Sequence, residues 1–321
     1  MDVHSTVRKP RRQPVKQRIG LTQKVAGVFV LFAALLLILV GSLAYYSGHD
    51  ALQEATLADL HSAAAEKVEA LDRWMEEQQS DLLSLAAIPG VVGDVVTLTE
   101  GKEGSGASRI AHDRLVKGFL PFTGHELLTL FVMAPEDGRI VVSTDPREEG
   151  RYKEDRPYFI NGRNGLSVYG PYNSLDLGAP AITVAVPVKK PDGGLVGVLA
   201  GRLSMDDMGS VVNPTTDRHR TNDAYLVNRS SLFVTQPRFI SDPVVLRRGI
   251  HTEAVKRGLK GESGHLLSRN YRGTPTIAVY RWLPQHQLCL VVERDQEEAF
   301  APSQAFGKVI MLIGFLALAV A

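Results

Sequence analysis

Nine histidines are the side chains most ready for metal or acid–base chemistry: His4, His49, His61, His112, His125, His219, His251, His265 and His286. No two stand at close ligand spacing, and neither an HExxH nor a CxxC occurs. They read as surface or internally satisfied groups, so no metal or other cofactor is expected. The one cysteine, Cys289, lies in the apolar run Gln287–Val292, where it serves as a small core residue and can close no internal disulfide. Gly101-Lys102-Glu103-Gly104-Ser105-Gly106 is glycine-rich, but it follows no strand and lacks the Gly-Lys-Ser/Thr ending of a phosphate loop. No Gly-x-Ser-x-Gly elbow appears, and no triad follows from spacing. The residues present therefore predict no enzyme. A net charge of +1 sets up no global field toward nucleic acid, and none is expected as a partner.

Charge is uneven along the chain. Residues 1–24 hold Arg8, Lys9, Arg11, Arg12, Lys16, Arg18 and Lys24 against the single acid Asp2. Residues 25–46 then carry no charge, and at about 1.5 Å per residue they match the hydrocarbon thickness of a bilayer. Tyr45 and Tyr46 stand at the far end, where aromatic rings suit the interface. The pattern predicts a cytoplasmic basic tail (1–24) and a transmembrane helix (25–46), with the following residues outside a bacterial inner membrane. The alternative is a cleaved signal peptide, since Ser42-Leu43-Ala44 resembles a cleavage site. Either way residues 47–305 are exported. The run from Val309 to Ala321 is apolar or Gly throughout, and 301–321 are expected to begin a second transmembrane helix, truncated here. A short hydrophobic tail packed on the protein is the alternative.

Between these ends, residues 47–88 read as one long helix without an internal Pro. Leu57, Leu60, Ala64, Val68, Leu71, Met75, Leu82 and Leu85 recur at a 3–4 spacing among many acids. Forty such residues reach about 60 Å, which suits a periplasmic rod with one packed and one wet face. That apolar stripe would serve as a dimer seam or pack on its own domain. Pro89-Gly90 ends the helix, and helical segments near 91–100 and 108–120 flank the Gly-rich loop. Strand texture begins at Leu127. Turns at Pro135–Gly138 and Lys190–Gly194 predict hairpins from 127–135 with 140–143, and from 181–188 with 195–203. The texture repeats after a polar junction at 206–222: a hairpin of 224–228 with 232–235, a helix near 252–259, then strands near 261–267, 274–281 and 288–292. The fold class is α+β: the long helix, then two antiparallel-sheet modules at 89–212 and 213–300.

Several segments carry a resemblance in the right order: Phe131–Thr144, Asp155-Arg156-Pro157-Tyr158-Phe159, Tyr169-Gly170-Pro171-Tyr172, Ala181–Val188 and Gly193–Gly201. Thr276–Trp282 and Val291–Asp295 resemble the closing strands of a second module. Over roughly 50–300 the chain resembles the double Cache sensor domains. The resemblance implies a tandem of two PAS-like modules, membrane-distal (89–212) and membrane-proximal (213–300). It also implies a small-molecule ligand in the distal one. Such sensors report to histidine kinases, chemoreceptors or cyclic-dinucleotide modules, usually as homodimers.

The same resemblance points to site residues. Amino-acid-binding members carry a Tyr, then an Arg followed by two aromatics, and later an Asp for the ligand amine. Arg156 matches that Arg, and Tyr158 and Phe159 fall on the aromatic positions. Arg151 falls on the Tyr position, with Tyr152 one residue off. A guanidinium can hold a carboxylate by two parallel hydrogen bonds. Arg202 stands where the Asp is expected, and a cation there repels an ammonium and attracts an anion. The expected ligand is accordingly a mono- or dicarboxylate, with Tyr169, Tyr172 and Asp176 as walls. The alternative reading pairs Arg156 with Asp145 or Asp155, pairs Arg202 with Asp176, and leaves the two aromatics as core.

The function expected is the ligand-sensing region of a transmembrane receptor, signalling to a histidine kinase. Chemoreceptor and diguanylate cyclase outputs are alternatives. A membrane-anchored adaptor that binds a protein and no small molecule is the reading from another class.

Overall fold

The computed structural model describes residues 21–124, 127–213 and 219–320, so the expected basic tail lies, up to residue 20, outside the described residues. The chain divides into two compact units.

The first unit comprises residues up to Gln53 together with Phe300 onward. It holds the apolar part of helix α1 (Leu21–Ala86) and helix α8 (Ala301–Val320). Among the described residues α1 is the one helix long and apolar enough to cross a membrane. The two helices meet through glycines. A Cβ on Gly41 would lie 2.8 Å from Ile310 Cγ2, and one on Gly307 would lie 3.0 Å from the Tyr45 ring. Small residues let backbones approach in this way. The His49 ring stacks on Phe300 with centroids 4.0 Å apart.

The second unit, Glu54–Ala299, holds both sheets. Helix α1 runs unbroken for 66 residues, so the expected span and rod are one element. Pro89 ends it by forcing Ile88 into an extended conformation and then opens α2 (Pro89–Thr99) from the first turn, where a missing N–H costs nothing. The Ser105 hydroxyl caps α3 (Gly106–Phe119) by accepting from Ser108 N at 3.1 Å.

The first sheet contains β1 (Leu127–Met133), β2 (Ile140–Ser143), β3 (Ser167–Ser174), β4 (Ala179–Lys189) and β5 (Leu195–Ser204), in the order β2-β1-β5-β4-β3. Helix α4 (Pro157–Gly162) precedes β3, and α5 (Met205–Val212) follows β5. The second sheet contains β6 (Asp223–Asn228), β7 (Gly264–Arg269), β8 (Pro275–Leu283) and β9 (Leu288–Asp295), in the order β6-β9-β8-β7. Helix α6 (Glu253–Gly258) precedes β7, and α7 (Gln296–Ala299) follows β9. All the pairings are antiparallel. Setting β2 aside, the two sheets share one topology: β1, β5, β4 and β3 correspond to β6, β9, β8 and β7, and α4 corresponds to α6.

Two expectations change. Leu232–Thr235 turns back antiparallel on β6 but forms no regular strand: Val227 bridges Phe233, Asn228 N donates to Leu232 O at 3.1 Å and Val234 N to Leu226 O at 2.8 Å, and Leu232 also bridges Gly249. The polar stretch after 204 is not all junction, since Ser204 caps α5 by accepting from Asp206 N. The apolar stripe of α1 packs on its own domain: Leu60, Ala64, Leu71, Met75, Leu82 and Leu85 are buried within one chain. Asp59 of α1 pairs with Arg294 of β9, Asp72 meets His286 of the β8–β9 turn at 2.5 Å, and Leu82 lies against Gly201 of β5. From residue 59 to 82, about 35 Å of helix, α1 passes the second sheet and then the first.

Candidate functional site

Strand β5 alternates its side chains, so Val198, Ala200 and Arg202 share the face that packs on Phe131, Tyr158 and Phe159. Arg202 is the exception among these apolar groups and is fully buried. Its register partners are Thr129 on β1 and Thr183 on β4. A buried guanidinium needs counter-charges, since an unpaired charge in low dielectric is strongly unfavourable. Here Glu148, on the 3-10 turn Pro146–Glu148, takes one amino group of Arg202, and Asp176 takes the other at 3.1 Å. Thr129 Oγ1 lies 3.3 Å from the same guanidinium, which also sits 4.7 Å above the Phe131 ring.

Asp176, in the β3–β4 turn, is the hub. Its two oxygens accept from Arg151 at 2.8 Å and from Lys153 at 2.7 Å, in addition to Arg202. Lys153 is buried and Arg151 is exposed. Burial pushes the Asp176 carboxyl up, but Lys153, Arg202 and Arg151 outweigh it and hold it below its ordinary value. Burial likewise opposes the Arg202 charge, and Glu148 outweighs that effect. Three cations thus converge on two carboxylates. Arg202 Nε and Glu148 Oε2 remain buried without a hydrogen-bond partner.

Aromatic rings border this cluster. Phe131, Tyr158, Tyr169 and Tyr172 form a chain with successive centroid separations of 6.3, 6.1 and 5.1 Å. Tyr172 and Thr183 share a hydrogen bond of 2.7 Å. Burial, then Tyr172, raise the Tyr158 phenol well above its usual value, with Arg202 working the other way, so it stays neutral. Gly170 sits between Tyr169 and Tyr172 at φ 127°, where the β3 register shifts. A Cβ there would lie 2.9 Å from Ala181 O, so the bulge needs glycine.

Of the residues expected from sequence, Tyr158, Tyr169, Tyr172, Asp176 and Arg202 come together. Phe159 is buried in the same core. Arg156 and Tyr152 do not join the cluster. Arg156 is exposed, and its nearest acid is Asp155 at 3.4 Å. Tyr152 is 56% exposed. Glu148 and Lys153 are the members that sequence reasoning missed. The signal for them was Arg202 itself, because a charge inside an apolar strand demands buried partners.

Residues 48–303 match the Cache domain family. Solved structures share the fold. The sensor domain of the V. cholerae histidine kinase DctB aligns at a TM-score of 0.57 and 13% identity, covering 76% of this chain and 98% of that one. The sensory domain of the Campylobacter jejuni chemoreceptor Tlp3 aligns at 0.54 and 10% identity, covering 78% and 98%. The ligand-binding domain of the Pseudomonas aeruginosa PAO1 amino-acid chemoreceptor PctB, in complex with L-Arg, aligns at 0.50 and 15% identity, covering 77% and 98%. No curated protein sequence matches. With the family matching most of its length, the chain belongs to the double Cache sensor domains.

Proposed function

We propose that residues 47–305 form the extracytoplasmic ligand-sensing region of a bacterial transmembrane receptor, and that the first module binds a small organic acid. In this reading residues 25–46 cross the inner membrane with the N-terminus in the cytoplasm, residues 301–321 begin a second transmembrane helix, and the receptor works as a homodimer. A histidine kinase is the proposed output, with chemoreceptor and diguanylate cyclase modules as the alternatives that the full open reading frame separates.

The observation that carries the ligand class is the convergence of Arg151, Lys153 and Arg202 on the Asp176 carboxylate. That carboxylate occupies the place an incoming one would take. It sits on a turn whose neighbour Leu175 is 88% exposed, so the turn can lift without unpacking the core. Once Asp176 leaves, Arg151 and Lys153 lose their carboxylate and Arg202 keeps Glu148, with Asp145 acting on it from further off, and a mono- or dicarboxylate restores the balance. Ligand entry would therefore release the β3–β4 turn, the movement that passes along the sheet to α1. A coupling of about 1–3 kcal/mol suffices to bias such a two-state element.

The internal pairing of Arg202 also fits a second reading, an adaptor whose charge cluster only holds the fold. A thermal-shift screen of organic acids, amino acids, amines and purines separates the two. A ligand at a hundredfold excess over its Kd adds about 2.7 kcal/mol of stability. Organic acids are expected to stabilise the protein, and Asp176→Asn is expected to bind them more tightly because the competing carboxylate is gone. If no acid shifts either protein, the adaptor reading takes over.

A further inference from the structure

The second module has its own buried charges, and they are unbalanced. Asp223 on β6 and Glu293 on β9 are direct register partners, and both are buried. Asp223 accepts from the Tyr271 hydroxyl, from Arg238 N at 3.0 Å and from the Asn213 amide at 3.3 Å. Glu293 accepts from the Tyr225 hydroxyl at 3.3 Å. Among the described residues neither acid forms a salt bridge. Arg272 is the nearest cation to act on both, and its guanidinium is held by Asp295 at 2.7 Å. Glu293 Oε1 and Asn270 Nδ2 are both buried without a close partner of their own, and the Asn270 side chain is directed at the Glu293 carboxyl, whose charge it favours. The Asn270 carbonyl oxygen accepts from Arg272 N and Thr274 N, which turns its amide nitrogen away from the β7–β8 turn.

A cleft of about 470 Å³ lies against Asn270 and Tyr271, while the two buried acids themselves do not line it. Asn270 and Tyr271 belong to both: they line the cleft and act on the acids. The Tyr271 ring lines the cleft and packs edge to face on the buried Tyr225 and Phe233 rings at 5.6 and 5.7 Å. The rest of the lining is cationic, with Arg248, Lys256 and Arg269, while the acid Glu253 is engaged by Arg257. Glu293 stands two residues before the end of β9 on the core face, as Arg202 stands two before the end of β5. The equivalent strand position thus carries the opposite charge in the two modules.

We propose that the second module holds a ligand site of its own, for a small zwitterion whose ammonium meets the Asp223–Glu293 pair and whose carboxylate meets Arg248 and Lys256. The ammonium takes the place of the Asn270 and Tyr271 donors that meet the buried acids and supplies the cation that the pair lacks. This site stands apart from the organic-acid site of the first module.

The test uses the full chain in nanodiscs, with β-alanine and γ-aminobutyrate as zwitterions of two lengths. Propionate and propylamine are the single-charge controls. A zwitterion is expected to raise Tm where neither control does, and Glu293→Gln or Arg248→Ala/Lys256→Ala is expected to weaken it by about tenfold or more, the scale of one charge-assisted hydrogen bond. Asp176→Asn should leave this response unchanged. Calorimetry in buffers of different ionisation enthalpy gives a readout that a merely structural role would not move. Burial and Asp223 push the Glu293 carboxyl up to about 8, so binding an ammonium near neutral pH should release a proton. No Tm shift with any zwitterion, an undiminished shift in Glu293→Gln, or binding without proton release in wild type would each overturn the proposal.

Discussion

The two modules solve the same packing problem with the same topology and place opposite charges at the same point. In the first, Arg202 lies between Thr129 and Thr183 and is neutralised by Glu148 and Asp176. In the second, Glu293 faces Asp223, and among the described residues neither forms a salt bridge: Arg272 acts on both but is held by Asp295. The sheet order does not dictate this difference, because the order is shared. What differs is the connections. Residues 144–156 and the β3–β4 turn fold Glu148, Lys153 and Asp176 over the first sheet, whereas 236–252 and the β7–β8 turn bring amide and phenol groups over the second. The backbone frame is thus constant, and loop chemistry sets what each module tolerates at its centre. One module is electrostatically closed on itself, and the other is left short of a positive charge.

The largest expected effect tests the closed side. Arg202→Met strands Glu148 as a buried, unpaired carboxylate, and removing one partner of such a pair costs about 3–5 kcal/mol. Denaturant unfolding should show that loss, and Arg202→Met with Glu148→Gln should recover much of it. A loss below about 1 kcal/mol for the single variant would mean that water reaches the cluster freely and that the modules differ less than the contacts imply.

The next effect has the opposite sign and tests the open side. Burial first, then Asp223, raise the Glu293 carboxyl from 4.5 to about 8. A raised folded value means that the native state holds a proton that the unfolded chain has released between those two pH values. The stability contributed is full below pH 4.5 and is lost as pH rises toward 8. The upper bound is about 5 kcal/mol. The groups that face Glu293 are Asp223 and Tyr225 from β6 and Asn270 and Arg272 from the β7–β8 turn. Glu293→Gln should flatten the slope and be the more stable protein at alkaline pH. His61, lowered by burial and by His265, slopes the other way, with stability falling on acidification below its ordinary value. It does so in both proteins and cancels from their difference. Parallel stability–pH curves for the two proteins would show that Glu293 ionises freely and that the pair is not short of charge.

These two tests bear on what a reader of the sequence could and could not have foreseen. Hairpins β1–β2 and β4–β5 were legible because Asp137-Gly138 and Asp192-Gly193-Gly194 sit between apolar runs, and Gly138 and Gly193 adopt the positive φ such turns need. Strand β3 was not, because Gly170-Pro171 interrupts it and most of its side chains stay partly exposed. Six-residue helices such as α4 and α6 are too short for periodicity to report, although the second was noticed from its composition. Arg202 and Asp176 were visible as residue types out of place. Glu148 and Lys153 sit in Arg147-Glu148-Glu149 and Lys153-Glu154-Asp155, runs that look like wet surface until the chain folds them inward. Arg156 shows the converse: its motif position matches, but Pro157 starts α4 immediately after it, and the side chain is exposed outside the ion cluster. Glu293 alternates with Val291 and Cys289, so its inward aim was readable. Its confrontation with Asp223 depends on the β6–β9 register, which no local signal encodes.

The smallest effect compares the two helices that close the modules, each ending in a glycine set against its sheet. A Cβ on Gly258 would lie 2.2 Å from Cys289 Sγ, and one on Gly162 would lie 2.9 Å from Ala185 Cβ and 3.0 Å from Val198 Cγ1. Overpacking a filled core costs about 1–3 kcal/mol. Gly258→Ala is expected at the upper end of that range and Gly162→Ala nearer the lower, since the approach at Gly162 is 2.9 Å rather than 2.2 Å and asks for a smaller shift. Combining Gly258→Ala with Cys289→Ala removes the clashing sulfur. The double variant should lose less than the sum of the two single losses, with a coupling of about 1–2 kcal/mol in a double-mutant cycle. Additive losses would mean that α6 shifts outward to accept the methyl group. The second module would then be the more deformable of the two, as the ligand site proposed for it requires.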